Sequence, residues 1–488
     1  MSPSFHFPSA LKAPGGLPVL LVPLVLLGLA GCTSLQPDQA VAPVQALTRD
    51  HWQADLPWQQ NQQARDTAQQ RSQALLAQPL DAQAAVQLAL LNHRGLQATL
   101  YGLGMADADR VQALLWPNPV LNLGRLVRGE ETEIERGLFF NLTALLGRGA
   151  RQTAATQALE RQQLEAAQQV LAVAAQARRS WIQAVASQAQ LQHAQTVLDA
   201  AEAGAELALR MQKAGNISAY RLAREQAVQA DARLWVDQTR LQAARDRSAL
   251  LRALGLDSAA AASLRLPEQL PPVPDSRRST PALEQQAIDQ RLDIQAARRQ
   301  SSQLAASLGL TRQTRLVNVL QVGYENNRSN TEPTQHGPSL SLELPLFDWG
   351  QARTARARQA YEQSLAQTAQ VALDAQAEVR DAQLRADQAW RTARRYQQEV
   401  LPLARQISDE TLLRYNGMLL GVNDLLADAR EQARLMTASL AAERDYWLAE
   451  TDLSQSLLGP LDGAGALRSA TAGDASATTP PRNGASAH

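Results

Sequence analysis

Little in this sequence points to covalent chemistry or to a conventional mixed core. Cys32 is the single cysteine, which excludes an internal disulfide. Aromatic residues are 4% of the chain, few for a core built from mixed elements. Lysine occurs only at Lys12 and Lys213, and 47 basic residues balance 47 acidic ones, so there is no basic patch for nucleic acid and no acidic tail. His6, His51, His93, His193, His336 and His488 are scattered without metal-ligand spacing. There is no Gly-rich phosphate loop, no nucleophile elbow and no carboxylate pair set apart for acid–base work; the chain reads as neither an enzyme nor a cofactor binder. Beyond the N-terminal segment no run of about 18 apolar residues occurs, which leaves strands as the way across a bilayer.

Alanine, glutamine, leucine and arginine dominate instead, the composition of long packed helices, and one plan is written twice roughly 200 residues apart. Leu96-Gln97-Ala98 recurs as Ile294-Gln295-Ala296. The re-entry into helix at Leu146-Gly147-Arg148-Gly149-Ala150-Arg151 recurs as Phe347-Asp348-Trp349-Gly350-Gln351-Ala352-Arg353. The break at Ala214-Gly215-Asn216 recurs at Asn416-Gly417-Met418, and Leu254-Gly255 recurs as Leu458-Gly459.

The first residues read as a processing signal. Lys12 and His6 precede an apolar run from Leu17 to Ala30, closed by Leu29-Ala30-Gly31-Cys32. This resembles a bacterial lipobox, with residues 1–31 as the signal peptide and Cys32 as the lipidated first residue of the mature protein. A cleaved signal with an incidental cysteine is the plainer alternative. Thr33 stands where an Asp would favour retention at the inner membrane, so the outer membrane is expected.

Residues 32–80 are Gln-rich, with Pro37, Pro43, Pro57 and Pro79, and read as a lipidated extended strap. The first repeat is 81–256. A helix is expected from Asp81 to about Leu115, stopped by Trp116-Pro117-Asn118-Pro119. Strands are expected at about 120–127 and 137–146, with 128–133 as a solvent loop, followed by a rod at about 150–213 and a return helix to about Leu256. Gly215 suits the end of the rod and Ser218 the start of the return helix. Residues 257–280, with Pro267, Pro271, Pro272 and Pro274, read as a linker. The second repeat, 281–459, carries a helix at about 281–312, strands at about 316–325 and 338–346, a rod at about 350–414 and a return helix to about Leu458. In its second strand Leu340, Leu342, Leu344 and Leu346 alternate with Ser339, Ser341 and Glu343. Residues 460–488, rich in Gly, Ala, Ser, Thr and Pro, read as a disordered tail.

These lengths define an architecture. A rod of some 60 residues is roughly 95 Å long and has to lie along other rods. Four strands per chain cannot close a barrel, and open edges do not survive in lipid; three chains would give about twelve strands. The fold class expected is therefore mainly α with a small β part: a duplicated helix–strand–strand–long helix–helix unit forming a trimeric α-barrel plus a twelve-stranded β-barrel with four strands from each protomer.

The residues resemble the TolC-like outer-membrane factor family, the exit ducts of bacterial efflux and type I secretion. The resemblance rests on the duplication, on Arg291-Leu292-Asp293-Ile294-Gln295-Ala296-Ala297, on Leu344-Pro345-Leu346-Phe347-Asp348-Trp349-Gly350, and on Arg414-Tyr415-Asn416-Gly417 with Asp424-Leu425-Leu426-Ala427-Asp428-Ala429. It covers about residues 80–459. Leu292 stands where the family usually has Pro. The resemblance implies a homotrimer with a barrel in outer-membrane lipid and a periplasmic helical barrel. It also implies a periplasmic adaptor and an inner-membrane pump as partners, and passive conduction of small molecules or metal ions. The lipidated Cys32 resembles the efflux branch. A protein-secretion duct of the same fold and a periplasmic coiled-coil adaptor lipoprotein remain the alternatives.

By the resemblance, Asp424 and Asp428 match a periplasmic gate ring. Their spacing puts both on one helix face, where three copies would crowd carboxylates together. The plainer reading is that an Asp near a helix start complements its dipole. Gly215, Asn216, Ile217 and Ser218, with Gly417, Met418, Leu419, Leu420 and Gly421, are the candidate adaptor-contact tips; ordinary helix punctuation is the alternative. Met211 and Met418 would suit a soft metal but more often fill packing gaps.

Overall fold

The computed structural model describes residues 37–276, 283–315 and 319–461. The signal segment, Cys32, and the tail beyond Leu461 lie outside the described residues.

Helix α1 (Pro37–Trp52) and helix α2 (Gln62–Leu76) overturn the expected extended strap. The Gln-rich surface of α1 hides an apolar stripe, Ala40, Val41 and Val44, that is buried in the core. Tertiary burial overrides Pro43 inside this helix. Between α1 and α2 the link is extended, and side-chain amides hold it as a neighbouring strand would. Gln87 accepts from the Asp55 N–H at 2.9 Å and donates to the Asp55 carbonyl at 3.0 Å. Gln97 accepts from the Gln59 N–H at 2.9 Å and donates to the Pro57 carbonyl at 3.0 Å.

The first helix expected in each repeat is two helices. Helix α3 (Ala82–Asn92) gives way at His93 to α4 (Arg94–Leu114). After the linker, which contains a short helix α8 described below, α9 (Leu283–Gln290) gives way at Arg291 to α10 (Leu292–Thr314). His93 and Arg291 are equivalent positions of the repeat, and both take extended backbone.

After α4 come β1 (Val120–Arg128), β2 (Glu131–Asn141) and a single turn of helix, α5 (Thr143–Leu146). The rod α6 (Arg148–Lys213) has 66 residues and is about 99 Å long. Its buried face is largely alanine, including Ala174, Ala175, Ala177, Ala184 and Ala186, so neighbouring helices approach closely. Helix α7 (Ala219–Ala253) returns along it. The described part of the linker, 257–276, is docked: it forms α8 (Ser258–Ser263), and the indoles of Trp447 and Trp390 donate to the carbonyls of Pro271 and Pro274 at 2.9 and 3.0 Å.

The second copy continues with β3 (Leu320–Ser329) and β4 (Gln335–Leu342). Its rod is divided: α11 (Gln351–Arg395), one π turn (Tyr396–Val400), then α12 (Leu401–Asn416). Pro402 explains the division. It has no N–H for the carbonyl four residues back, and a wide turn just before it accommodates the ring. Helix α13 (Val422–Ser456) completes the unit.

Strand boundaries other than the start of β1 shift from expectation, and residues 316–318 of the expected third strand lie outside the described residues. Strand β2 begins at Glu131, so the supposed solvent loop is strand, joined to β1 by Gly129 and Glu130 with Gly129 at φ +61°. Strand β3 extends through Asn326, Asn327 and Arg328, and β4 starts three residues early. Their polar residues read as loop, but pairing here is carried by the backbone. The four strands form one antiparallel sheet in the order β1-β2-β3-β4. The β2–β3 pairing runs from Glu133 opposite Ser329 to Asn141 opposite Gln321, so the two repeats share a sheet.

Candidate functional site

The sheet has two faces of opposite character. Phe140, Val322 and Leu340 share one row of the outer face, and Leu121, Leu138 and Tyr324 the next; all six are exposed. The other face carries Glu131, Glu133, Glu135, Glu325, Ser339 and Ser341. Phe139 breaks that polar pattern for a local reason: it lies over Gly137 and Gly323, where a Cβ would collide with its ring. Val120 and Leu126 of β1 lie on that face as well.

The sheet also has two bare edges. Strand β1 pairs only with β2, and β4 only with β3. An apolar face flanked by unpaired backbone is untenable in water and in lipid alike unless another chain completes it. At the helix-side end of the strands, Trp116, Leu344, Leu346 and Trp349 are exposed, and Phe347 is fully exposed. Arg148 stacks over the Trp116 ring at 5.0 Å. Aromatic rings beside cations at the end of an apolar band fit a membrane–water boundary. Among the described residues no helix is long and apolar enough to cross a membrane.

At the far end of the helices, the two candidate tips share one backbone design. After α6, the Gly215 N–H donates to the Gln212 carbonyl at 3.0 Å and the Asn216 N–H to Met211 at 2.9 Å, with Gly215 at φ +77°. After α12, the Met418 N–H donates to Tyr415 at 3.0 Å and the Leu419 N–H to Arg414 at 2.8 Å, with Met418 at φ +60°. Both are Schellman ends. The left-handed residue of the second is Met418, whereas Gly417 has φ −77°. The sequence match of Gly215 with Gly417 is therefore offset from the structural match. Met418 and Leu419 are 93% and 77% exposed, an apolar pair without cover in the protomer. Ser218 does cap α7, accepting from the Arg221 N–H at 3.4 Å. Ile217 and Leu420 are half-buried, while Asn216, Gly417 and Gly421 are exposed.

Asp424 accepts a hydrogen bond from the Gly421 N–H at 3.1 Å, so it closes the first turn of α13. Asp428 follows one turn later and is half-buried. Two neighbours in this region are invisible in the sequence. Arg430 on α13 donates to Glu225 on α7 at 2.5 Å, and Leu426 packs where a Cβ on Gly204 of α6 would meet it at 3.6 Å. The return helix of the second repeat is thus fastened to both helices of the first.

Arg291, read in the sequence only as part of a repeat motif, is 2% exposed. Its guanidinium donates to both Asp293 oxygens at 3.1 and 2.7 Å, to Glu378 at 2.7 Å and to the Ser456 carbonyl at 2.8 Å. Burial works against its charge. The hydrogen bonds and charges of Asp293, then of Glu378, outweigh that and hold its pKa above the ordinary arginine value. This pins the α9–α10 break to α11 and α13.

Among the described residues no group of three or more His, Cys, Asp and Glu gathers at a metal-binding distance. His93 caps α4, accepting from the Leu96 N–H at 3.3 Å, and a ring nitrogen of His193 lies 2.9 Å from the Ala433 carbonyl.

Helical rods, two helical tips and a shared four-stranded sheet with open edges are the fold of the TolC-like outer-membrane channels. The chain is similar to the transmembrane channel CusC, with 18% identity over 78% of this chain and 92% of that one and a TM-score of 0.66. It is similar to the outer membrane protein VceC of Vibrio cholerae, at 16% identity, 80% and 98% coverage and a TM-score of 0.64. It is also similar to the open state of the MtrE outer membrane channel of Neisseria gonorrhoeae, at 17% identity, 78% and 89% coverage and a TM-score of 0.62. No protein-family model matches the sequence, and no curated protein matches it.

Proposed function

We propose that this protein is the outer-membrane exit channel of a tripartite efflux system. It passively conducts small molecules or metal ions that an inner-membrane pump delivers through a periplasmic adaptor. One observation carries the reading: a sheet with an apolar outer face, a polar inner face and two bare edges. Three protomers joined β4 to β1 remove every edge and enclose a polar lumen in a twelve-stranded barrel. The resemblance to outer-membrane channels in fold supports it. A coiled-coil adaptor has no use for such a sheet.

Cys32 carries the lipid in this reading, and residues 1–31 are the signal peptide. Asp424 and Asp428 stand near the periplasmic mouth. Met418 and Leu419, with Gly215 to Ser218 and Leu420 to Gly421 beside them, form the surface an adaptor covers. The test is fractionation followed by native sizing. A urea-resistant outer-membrane trimer that conducts ions in planar bilayers is expected; a monomer released by delipidation would falsify the reading. Asp424→Ala with Asp428→Ala is expected to raise single-channel conductance, and unchanged conductance and selectivity would remove those two from the gate. Cys32→Ser is expected to abolish labelling by a radiolabelled fatty acid.

A further inference from the structure

The outer face of the sheet changes character toward the hairpin ends. Its next two rows are Leu123, Arg136, Asn326 and His336, then Arg125, Ile134 and Arg328. The register sets Arg125 and Arg328 on either side of Ile134, with Arg136 diagonal to both. Direct cross-strand neighbours are about 5 Å apart and diagonal ones about 7–8 Å, so the three guanidinium groups are rooted within reach of one ligand. All three arginines are exposed. Among the described residues none of the three has an ion pair or a side-chain hydrogen bond. Each strand glutamate, Glu131, Glu133, Glu135 and Glu325, lies on the opposite face.

This placement is unusual for a lipid-facing surface. Arginine on that face is destabilising at the bilayer midplane and nearly neutral at the interface. Arg125 lies three residues before the end of β1, roughly 10 Å along the strand from the turn. That sets the cluster near headgroup depth, above the rows of Phe140 and Leu138, with Val127 the apolar residue beyond it on β1. Water alone would solvate a single snorkelling arginine. Three around one isoleucine, with no acid on their face, form a concentrated positive field suited to phosphate, whose oxygens the planar guanidinium matches two at a time.

We propose that Arg125, Arg136 and Arg328 form a docking surface for a phosphate-bearing lipid headgroup of the leaflet that the hairpin ends meet, one surface on each protomer. The proposal rests on the outer-membrane barrel proposed above. Ile134 at its centre meets the upper acyl carbons while the arginines hold the phosphates.

The test is native mass spectrometry of the detergent-solubilised full chain, with diphosphoryl lipid A and phosphatidylcholine as competing probes. The wild-type trimer is expected to retain diphosphoryl lipid A at least ~10-fold better than phosphatidylcholine, and R125Q/R136Q/R328Q to bring that preference within about twofold at unchanged trimer mass. E131Q/E133Q/E135Q, on the inner face, is expected to keep the preference. Equal retention by wild type and the triple variant overturns the proposal, as does a wild-type trimer without preference. Displacement of the lipid by equimolar inorganic phosphate also overturns it, since the surface then takes any phosphate. Should the triple variant not assemble, Arg328→Gln alone is expected to weaken the preference several-fold, and no change in it counts against the site. A wild-type spectrum showing monomer alone sinks the barrel reading itself; a trimer indifferent to lipid sinks only this proposal.

Discussion

The two repeats follow one plan with different local chemistry. The first rod is a single helix of 66 residues; the second is divided by a π turn ahead of Pro402. The first tip turns on Gly215, the second on Met418, which holds a left-handed backbone despite its side chain. The first repeat breaks its opening helix at His93, whose ring caps one backbone N–H. The second breaks at Arg291, which binds two carboxylates and a carbonyl. Duplication thus preserves backbone geometry more faithfully than the residues that produce it. The second copy relies on side chains from elsewhere in the fold where the first relies on local propensity.

The largest test of that contrast is at the two breaks. Arg291→Ala leaves Glu378 and Asp293 facing each other without their cation and is expected to destabilise by about 3–5 kcal/mol. His93→Ala removes one cap and is expected to cost about 1 kcal/mol. Chemical denaturation of the two variants side by side reads the difference; equal losses would mean that Arg291 is only a cap. Next come the tips. Met418→Gly relieves the left-handed strain and is expected to stabilise by about 1 kcal/mol, while Gly215→Ala introduces the same strain and is expected to destabilise by about as much. Matching signs in the two variants would refute the structural equivalence of Gly215 and Met418.

A smaller effect is expected in the link after α1, which has no counterpart in the second repeat. Gln97→Ala removes two hydrogen bonds, but water can take over the Gln59 N–H and the Pro57 carbonyl, so the net loss stays below about 1 kcal/mol. Faster proteolysis between Trp52 and Asn61, with global stability almost unchanged, is the expected outcome. The smallest belongs to Pro402→Ala. A restored N–H permits an ordinary helix, and stability should move by less than about 1 kcal/mol because the π turn already accommodates the ring. Unaltered hydrogen exchange around Gln398 would show that the turn has another cause.

Long-period features were legible in the sequence. The duplication, the rods, the tip breaks and the existence of four strands all follow from hydrophobic period and from glycine and proline punctuation. Residues 37–76 were not, because a Gln-rich segment with prolines looks extended unless the burial of Ala40, Val41 and Val44 is known. Strand ends slipped because Glu131, Glu133 and Asn327 belong to a polar inner face and Asn326 and Arg328 to the polar end of the outer one, neither of which alternation of apolar residues marks. At the tips, Ser218 was readable as a cap from its type and place. The Arg430–Glu225 pair was not, since 205 residues separate its partners and only the hairpin register brings them together. Asp424 was visible as a candidate, yet its bond to the Gly421 N–H gives it a local duty whether or not it also serves the proposed gate.

The seam between β2 and β3 has a bearing on biogenesis. It joins segments synthesised far apart, with the whole first hairpin of helices and the linker made in between. Until β3 emerges, the β1–β2 ribbon waits with one greasy side and two open margins. The newborn polypeptide is therefore most prone to aggregate midway through its synthesis, and any escort that covers apolar surface has the greatest effect during that interval.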